Sequence, residues 1–123
     1  MKTFLVLGAV FLALAVMIGA FGAHGLKGRL SSEMLAVYQT GVEYHFYHAL
    51  GLLLLGVIIG QYPSAGGLVW AGWLIVAGIV LFSGSLYVLA ISGIRWLGAI
   101  TPIGGTAFIA GWITMAVSLI RSA

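Results

Sequence analysis

The chain has 123 residues, of which 63% are hydrophobic and only 6% are charged, and its formal net charge is +3. Soluble domains carry about 25% charged residues, so this composition excludes a water-covered globular domain, and five basic residues are too few for a nucleic-acid-binding face. The absence of cysteine excludes a disulfide framework, a thiolate metal site and a cysteine nucleophile. With a mean hydropathy of +1.22, the chain is expected to form one domain inside a lipid bilayer.

The first predicted element is a membrane span over residues 3–23, a run without a charged residue. A bilayer core about 30 Å thick needs roughly 20 apolar residues in a helix. The alternative is a cleaved signal peptide, because Lys2 forms a short basic segment and Ala20-Phe21-Gly22 resembles a cleavage site. Apolar regions of signal peptides are about 7 to 15 residues long, so the length of this run favours a span.

The second predicted span covers residues 43–60, and a short amphipathic helix over residues 32–42 precedes it. Ser31 or Ser32 is a good N-cap, and Glu33 in the first turn is favoured by the helix dipole. This helix either lies along the membrane surface or leads straight into the span, with Gly41 as the bend. At helical spacing the segment has an apolar and a polar arc. The apolar arc comprises Met34, Leu35, Tyr38, Val42, Phe46 and Ala49, and the polar arc comprises Gln39, Thr40, Glu43, Tyr44, Tyr47 and His48.

Two further spans are predicted over residues 67–92 and 101–120. A turn at residues 61–66 precedes the third span, and Gly93 and Arg95 end it. Thr101-Pro102 is typical of an N-cap followed by proline at the first helical position; a helix that starts near Trp96 and kinks at Pro102 is the alternative. The sequence therefore predicts an all-α membrane protein whose four spans form a compact bundle.

Small residues recur about every seven positions in each span. Helices in lipid associate through close backbone approach at small residues, and a seven-residue period favours left-handed crossings of about 20°. These residues are also common enough for the period to arise by chance. Gly56-x-x-x-Gly60 adds a predicted oligomer contact. The residues expected to pack helices together are Gly8, Ala15, Gly22, Ala49, Gly56, Ala71, Gly78, Ser85, Gly104 and Gly111.

An even number of spans places both termini on one side of the membrane, called here the terminal side. The opposite, loop side receives the two loops near residues 24–31 and 93–100. Lys2 and Arg121 lie on the terminal side, and Lys27, Arg29 and Arg95 lie on the loop side. Cytoplasmic loops carry an excess of basic residues, so we expect cytoplasmic loops and outward termini.

Most polar residues are expected on the loop side, where ionisable residues near or within the spans are either paired or functional. We expect Glu43 and Arg95 to be neighbours there, with Lys27 and Arg29 as rival partners. The predicted loop-side cluster comprises His24, Glu43, Tyr44, His45, His48, Tyr87, Arg95 and Thr101.

Several chemistries could use this cluster. A metal site is suggested by His45 and His48, three residues apart, but its third ligand would be His24 from another helix. Haem or quinone binding would use the same histidine and tyrosine residues, but no two histidines are expected in mid-span on facing helices, as bis-histidine haem ligation would require. Ser83, Ser85 and Thr101 are better explained as hydrogen bonders between helices than as nucleophiles, since no buried carboxylate could orient a histidine beside them. We therefore expect no metal, no cofactor and no enzymatic activity.

Four motifs follow one another along the chain. They are Gly22-Ala23-His24-Gly25-Leu26, Tyr44-His45-Phe46-Tyr47-His48-Ala49-Leu50, Leu81-Phe82-Ser83-Gly84-Ser85-Leu86-Tyr87 and Leu97-Gly98-Ala99-Ile100-Thr101-Pro102-Ile103-Gly104-Gly105. Together they resemble the YgdD-like family of small membrane proteins, catalogued as domain of unknown function 423 or the UPF0382 inner membrane protein family. The resemblance covers nearly the whole chain. It implies a four-span protein of the bacterial inner membrane and brings no established activity, substrate or cofactor.

The expected function is that of a non-enzymatic structural or accessory membrane component. Its partners would be the lipid bilayer and either further copies of the chain or a larger membrane complex, with no nucleic acid. The alternatives are an oligomeric transporter or channel for small solutes or ions, and a bundle that binds a ligand or metal through the loop-side cluster. Four short spans without an obvious inverted repeat could hardly form a solute pathway alone.

Overall fold

A computed structural model describes residues 2–122 of the chain. Within these residues, four helical segments are long and apolar enough to cross a membrane. The prediction of an all-α membrane protein with four spans in a compact bundle is confirmed. The helices are α1 (Lys2–Phe21), α2 (Ser32–Gln61), α3 (Gly67–Gly78), α4 (Gly84–Ser92) and α5 (Thr101–Arg121), with π turns at Gly22–Leu26 and Ile79–Ser83 and a 3₁₀ turn at Arg95–Ala99.

Helix α2 joins the amphipathic segment and the second span without a break at Gly41. Of the two expected arrangements, the structure therefore has the one in which the amphipathic helix leads straight into the membrane. Its start is fixed locally, because the Ser31 hydroxyl accepts a hydrogen bond from the Met34 backbone N–H at 3.1 Å. Such a cap satisfies one of the N–H groups that a first helical turn leaves without a partner.

The third span consists of α3, the second π turn and α4. It ends at Gly93, whose positive φ of 73° and backbone N–H bond to the Leu89 carbonyl are typical of a left-handed helix cap. Helix α5 then begins at Thr101 with Pro102 in its first turn, and the segment around Trp96 is a separate 3₁₀ turn. The N-cap is Ile100 rather than the predicted Thr101, and the Thr101 hydroxyl bonds to Ser85 of the third span.

The two halves of the third span pack against different helices of the bundle. Helix α1 lies along α2, α3 lies along α5, and α4 lies along α2. Towards the terminal side the buried core is apolar, and towards the loop side a smaller core forms around Tyr38. The larger core comprises Phe4, Leu52, Leu55, Ala65, Leu68, Ala71, Ile75, Ile79 and Phe108, and the smaller one comprises Leu26, Tyr38 and Ala90.

All ten small residues singled out in the sequence are buried. Several lie where a side chain would meet a neighbouring helix: a Cβ on Gly8 would stand 2.9 Å from Leu53 Cδ2 of α2, and one on Gly104 would overlap the backbone of Phe82. Gly56 faces Leu5 of α1 in the same chain, so the Gly56-x-x-x-Gly60 motif packs within the bundle at this glycine rather than against another copy. Close backbone approach is thus the means by which these helices pack.

Candidate functional site

Imidazole and phenol groups form the centre of the loop-side cluster. His45 of α2 is only 3% exposed, and its Nδ1 lies 2.8 Å from the Tyr87 hydroxyl of α4. Within residues 2–122 its Nε2 is buried and has no hydrogen-bond partner. The tautomer of the imidazole decides which group donates in the bond between His45 and Tyr87.

Two hydroxyl contacts attach the third span to its neighbours. Ser83, the last residue of the second π turn, donates to the Gly41 carbonyl of α2 at 2.7 Å. Ser85 lies 2.6 Å from the Thr101 hydroxyl at the start of α5, and it also donates to the Phe82 carbonyl in its own span. These residues join helices through hydrogen bonds, the role that the sequence favoured for them.

Tyr38 extends the cluster to the first span. Its hydroxyl donates to the Ile18 carbonyl of α1 at 2.6 Å, and its ring lies against that of Tyr87, with the centroids 5.3 Å apart. Sequence reasoning placed Tyr38 on the apolar arc and missed this bond. A tyrosine on the buried face of a helix could have indicated it, because a buried phenol requires a hydrogen-bond partner.

His48 is separated from the rest of the cluster. Its Nδ1 lies 2.8 Å from the Tyr44 carbonyl one turn earlier in α2, and its ring stacks on Phe108 of α5 with 3.5 Å between the centroids. The sequence placed His48 on the polar arc with Glu43, yet it is buried, because α5 covers this side of α2. Tyr44 remains exposed and lies against Phe82, 4.7 Å between centroids.

The prediction that Glu43 and Arg95 are neighbours is wrong, because Arg95 pairs with Glu33 instead. Arg95 Nη1 lies 3.4 Å from Oε1 of Glu33, and both side chains are exposed, at 76% and 67%. Glu33 is ten residues before Glu43 in α2, about 15 Å along the axis, because Arg95 sits in the 3₁₀ turn beyond the end of α4 and reaches only the first turn of α2. An exposed pair of this kind contributes about 0–1 kcal/mol.

Glu43 and His24 lie apart from these contacts. His24 is exposed in the first π turn. Glu43 is exposed as well, and together with Gln39 it lines a groove of about 190 Å³ beside α1. Of the eight residues of the predicted cluster, only His45, Tyr87 and Thr101 take part in hydrogen bonds between helices. These three and Tyr38, Ser83 and Ser85, which were not in the predicted cluster, are here called the polar network.

The chemistry available to the polar network is hydrogen bonding between helices. His45 and His48 direct their Nδ1 atoms to different partners, and within the described part of the chain no three histidine or acidic side chains are grouped as metal ligands. The network joins α1, α2, the third span and α5 through main-chain carbonyls and hydroxyls. Such bonds in a bilayer contribute about 0.6 kcal/mol each and up to about 1.7.

Comparison with known proteins gives a consistent result. Residues 18–105 match the family described as "Protein of unknown function (DUF423)". The chain is 52% identical over 121 residues to the UPF0382 membrane protein YwdK of Bacillus subtilis, covering 98% of each chain. It is 51% identical to a UPF0382 membrane protein of Staphylococcus haemolyticus, again over 98% of each. A Staphylococcus epidermidis relative is 49% identical over 100% of this chain and 99% of its own.

No solved structure gives a significant match. The profile match and the full-length identities agree with the resemblance seen in the four sequence motifs. The chain belongs to the UPF0382 family of membrane proteins, also described as DUF423.

Proposed function

We propose that this UPF0382 protein is a non-enzymatic structural or accessory component of the bacterial cytoplasmic membrane, with its loops in the cytoplasm. The observation that carries the proposal is the use of the buried hydroxyls of Ser83, Ser85 and Tyr38, each of which contacts a neighbouring helix. Polar groups that hold helices together in this way are occupied in the resting fold. They support a role in assembly rather than a role in turnover.

Native mass spectrometry of the full-length protein, released from membranes with its lipids, tests this function. We expect a species heavier than one chain, either a homo-oligomer or a complex with another membrane protein. A protein that is released only as a single chain and catalyses solute flux in proteoliposomes would overturn the accessory role. A cytoplasm-dependent reporter fused after the last residue tests the orientation, and we expect it to be inactive because the termini are outward.

One observation favours an oligomeric transporter as the second candidate. Glu43 is an exposed carboxylate beside the apolar first span, and ionisable residues in spans often mark ion or solute pathways. Flux of a monovalent cation in proteoliposomes, compared between the wild-type protein and Glu43→Gln, tests it. Transport that depends on Glu43 would support this candidate, and equal flux in the two proteins would contradict it.

A further inference from the structure

We propose that the groove beside Glu43 binds the ammonium group of a lipophilic amine that enters from the bilayer. The inference goes beyond the accessory role and does not depend on it. It starts from the depth of Glu43. Val42, the preceding residue, lies against Gly19 of α1, where an added Cβ would be 3.4 Å from Val42 Cγ1. Gly19 is four residues inside the end of the apolar run at Ala23, about 6 Å along the helix.

The contacts on the other side of α2 place Glu43 at the same depth in the bundle. Gly41 lies against Leu86 and Tyr87 of α4. Helix α4 continues from there to Ser92 and exposes Val88 and Ile91 on the way. Glu43 is two residues deeper than Gly41, so its backbone lies at a level where the neighbouring helix α4 presents apolar side chains to the surroundings.

Glu43 also has no partner of opposite charge. Arg95, the expected partner, is bonded to Glu33 about 15 Å away along α2. Within residues 2–122, Glu43 makes no hydrogen bond and no ion pair. An unpaired carboxylate at this depth is costly, and such groups are commonly retained because they bind a ligand or ion.

The groove has the size and lining for an ammonium head group. Its volume of about 190 Å³ is below the roughly 300 Å³ at which ligand pockets begin, so it holds a head group while the rest of the ligand stays in the lipid. Small residues, Gly19 of α1 and Gly22 and Ala23 of the first π turn, line one side of the groove. Tyr38, Gln39 and Glu43 of α2 line the other side.

The acceptors in the groove select for N–H donors. The Glu43 carboxylate and the Gln39 side-chain carbonyl can accept hydrogen bonds from a protonated amine. The Tyr38 hydroxyl donates its proton to the Ile18 carbonyl, so its oxygen is available only as an acceptor. A primary alkylammonium fills these acceptors, and a quaternary ammonium lacks the N–H groups to do so. The same R–NH₃⁺ chemistry is carried by a free lipophilic amine and by the head group of phosphatidylethanolamine.

Equilibrium binding of radiolabelled dodecylamine to the full-length protein in phosphatidylcholine nanodiscs, measured against empty nanodiscs, tests the proposal. We expect one binding site per chain. Glu43→Gln should bind dodecylamine at least about tenfold more weakly, because one charge-assisted contact is lost. Glu33→Gln should bind it as the wild-type protein does. Glu33→Gln is the matched control, since it removes the only other carboxylate side chain of the sequence. Dodecyltrimethylammonium should bind more weakly than dodecylamine.

A second variant keeps the proposal falsifiable if Glu43→Gln fails to fold. Ala23→Phe places a ring in the groove and leaves Glu43 in place, and it should weaken dodecylamine binding as much as Glu43→Gln does. Competition by added phosphatidylethanolamine would support the site and identify the lipid as its ligand, whereas no competition would identify the free amine.

Three results would overturn the proposal: binding by Glu43→Gln equal to wild type, equal weakening by Glu33→Gln, or binding unaffected by Ala23→Phe. A wild-type dimer that Glu43→Gln dissociates, with no amine bound, would also overturn it, because the exposed face of α2 would then belong to a second copy.

Discussion

The two halves of the bundle are held together by different interactions. In the terminal-side half, large apolar side chains such as Phe4, Leu52 and Ile75 fill the space between helices. In the loop-side half, the polar network places hydroxyl and imidazole groups between helices, with Ser83 on Gly41 and Tyr87 on His45. The spans are continuous through both halves, so the change occurs along the helices rather than between domains.

This difference shows what each kind of contact supplies in lipid. Because lipid tails are as apolar as leucine, burying an apolar side chain between helices gains close packing but little transfer free energy. Dispersion contacts are weakly directional, whereas a hydrogen bond to one chosen carbonyl has a preferred geometry. The terminal-side half therefore supplies most of the packing, and the loop-side half fixes the rotation of α4 against α2.

The largest expected effect is at the border of the two halves. Gly104→Ala would place a Cβ against the backbone nitrogen and Cα of Phe82, and main-chain atoms cannot move aside as a side-chain tip can. We expect a loss of about 3 kcal/mol in the free energy of unfolding, the upper end of the usual range for overpacking, measured by thermal unfolding in detergent.

The neighbouring glycine is the matched control for this substitution. A Cβ on Gly105 would be 3.7 Å from Phe82 Cδ2, an ordinary contact, so Gly105→Ala should be neutral or slightly stabilising, since alanine is the better helix former. Equal losses at the two positions would show that helix α5 does not approach Phe82 as closely as described.

The second largest effect is expected in the terminal-side half. Leu52 has no exposed surface, and Leu52→Ala should cost about 2 kcal/mol through the cavity that it leaves, less than in a soluble core because the transfer contribution is nearly absent. Leu54→Ala, two residues along the same helix at a side chain that is 56% exposed, should change little. A silent Leu52→Ala would mean that this half relaxes to fill the space.

A smaller effect is expected in the polar network. Ser83→Ala removes the 2.7 Å bond to Gly41 and should cost about 1 kcal/mol, within the range for hydrogen bonds between membrane helices. Ser92→Ala is the control, because the Ser92 hydroxyl donates to the Val88 carbonyl of its own helix and accepts from the Ile94 N–H two residues further on, so its bonds do not join two helices. If Ser83→Ala lowered the free energy of unfolding more than Leu52→Ala does, the loop-side half would supply more of the stability than the terminal-side half, contrary to the assignment made here.

The smallest effect is expected outside both halves. A double-mutant cycle of Glu33→Gln and Arg95→Gln should give a coupling of about 0–1 kcal/mol that decreases with added salt, as for an exposed pair. The parallel cycle of Glu43→Gln and Arg95→Gln should give additive losses, since the two side chains do not touch. Coupling in the second cycle but not in the first would restore the pairing expected from the sequence.

Features that depend on neighbouring residues could be predicted from the sequence. The start of α2 near Ser32 follows from the Ser31 cap and Glu33, both within one turn. The burial of the small residues follows from their seven-residue period, because helices in lipid pack closely at small residues. The four spans follow from length and hydropathy alone.

Features that depend on distant parts of the chain could not be predicted. The partner of Arg95 depends on how far α2 extends beyond the end of α4. No local sequence pattern indicates that distance. His48 was placed on the wrong arc because a single-helix projection assumes one covered side, whereas α2 is covered by α1 on one side and by Phe108 of α5 on another. The second π turn, at Ile79–Ser83, contains no proline or glycine that would mark it.

The second π turn has a consequence for how this family can vary. Helix α3 lies along α5 before the turn and α4 lies along α2 after it, so residues 79–83 separate two stretches of one span that are matched to different neighbours. A substitution that enlarges a residue in α3 can be compensated by a smaller residue in α5, and one in α4 by a smaller residue in α2. Across homologous sequences, correlated substitutions involving the third span should therefore change partner helix at the π turn.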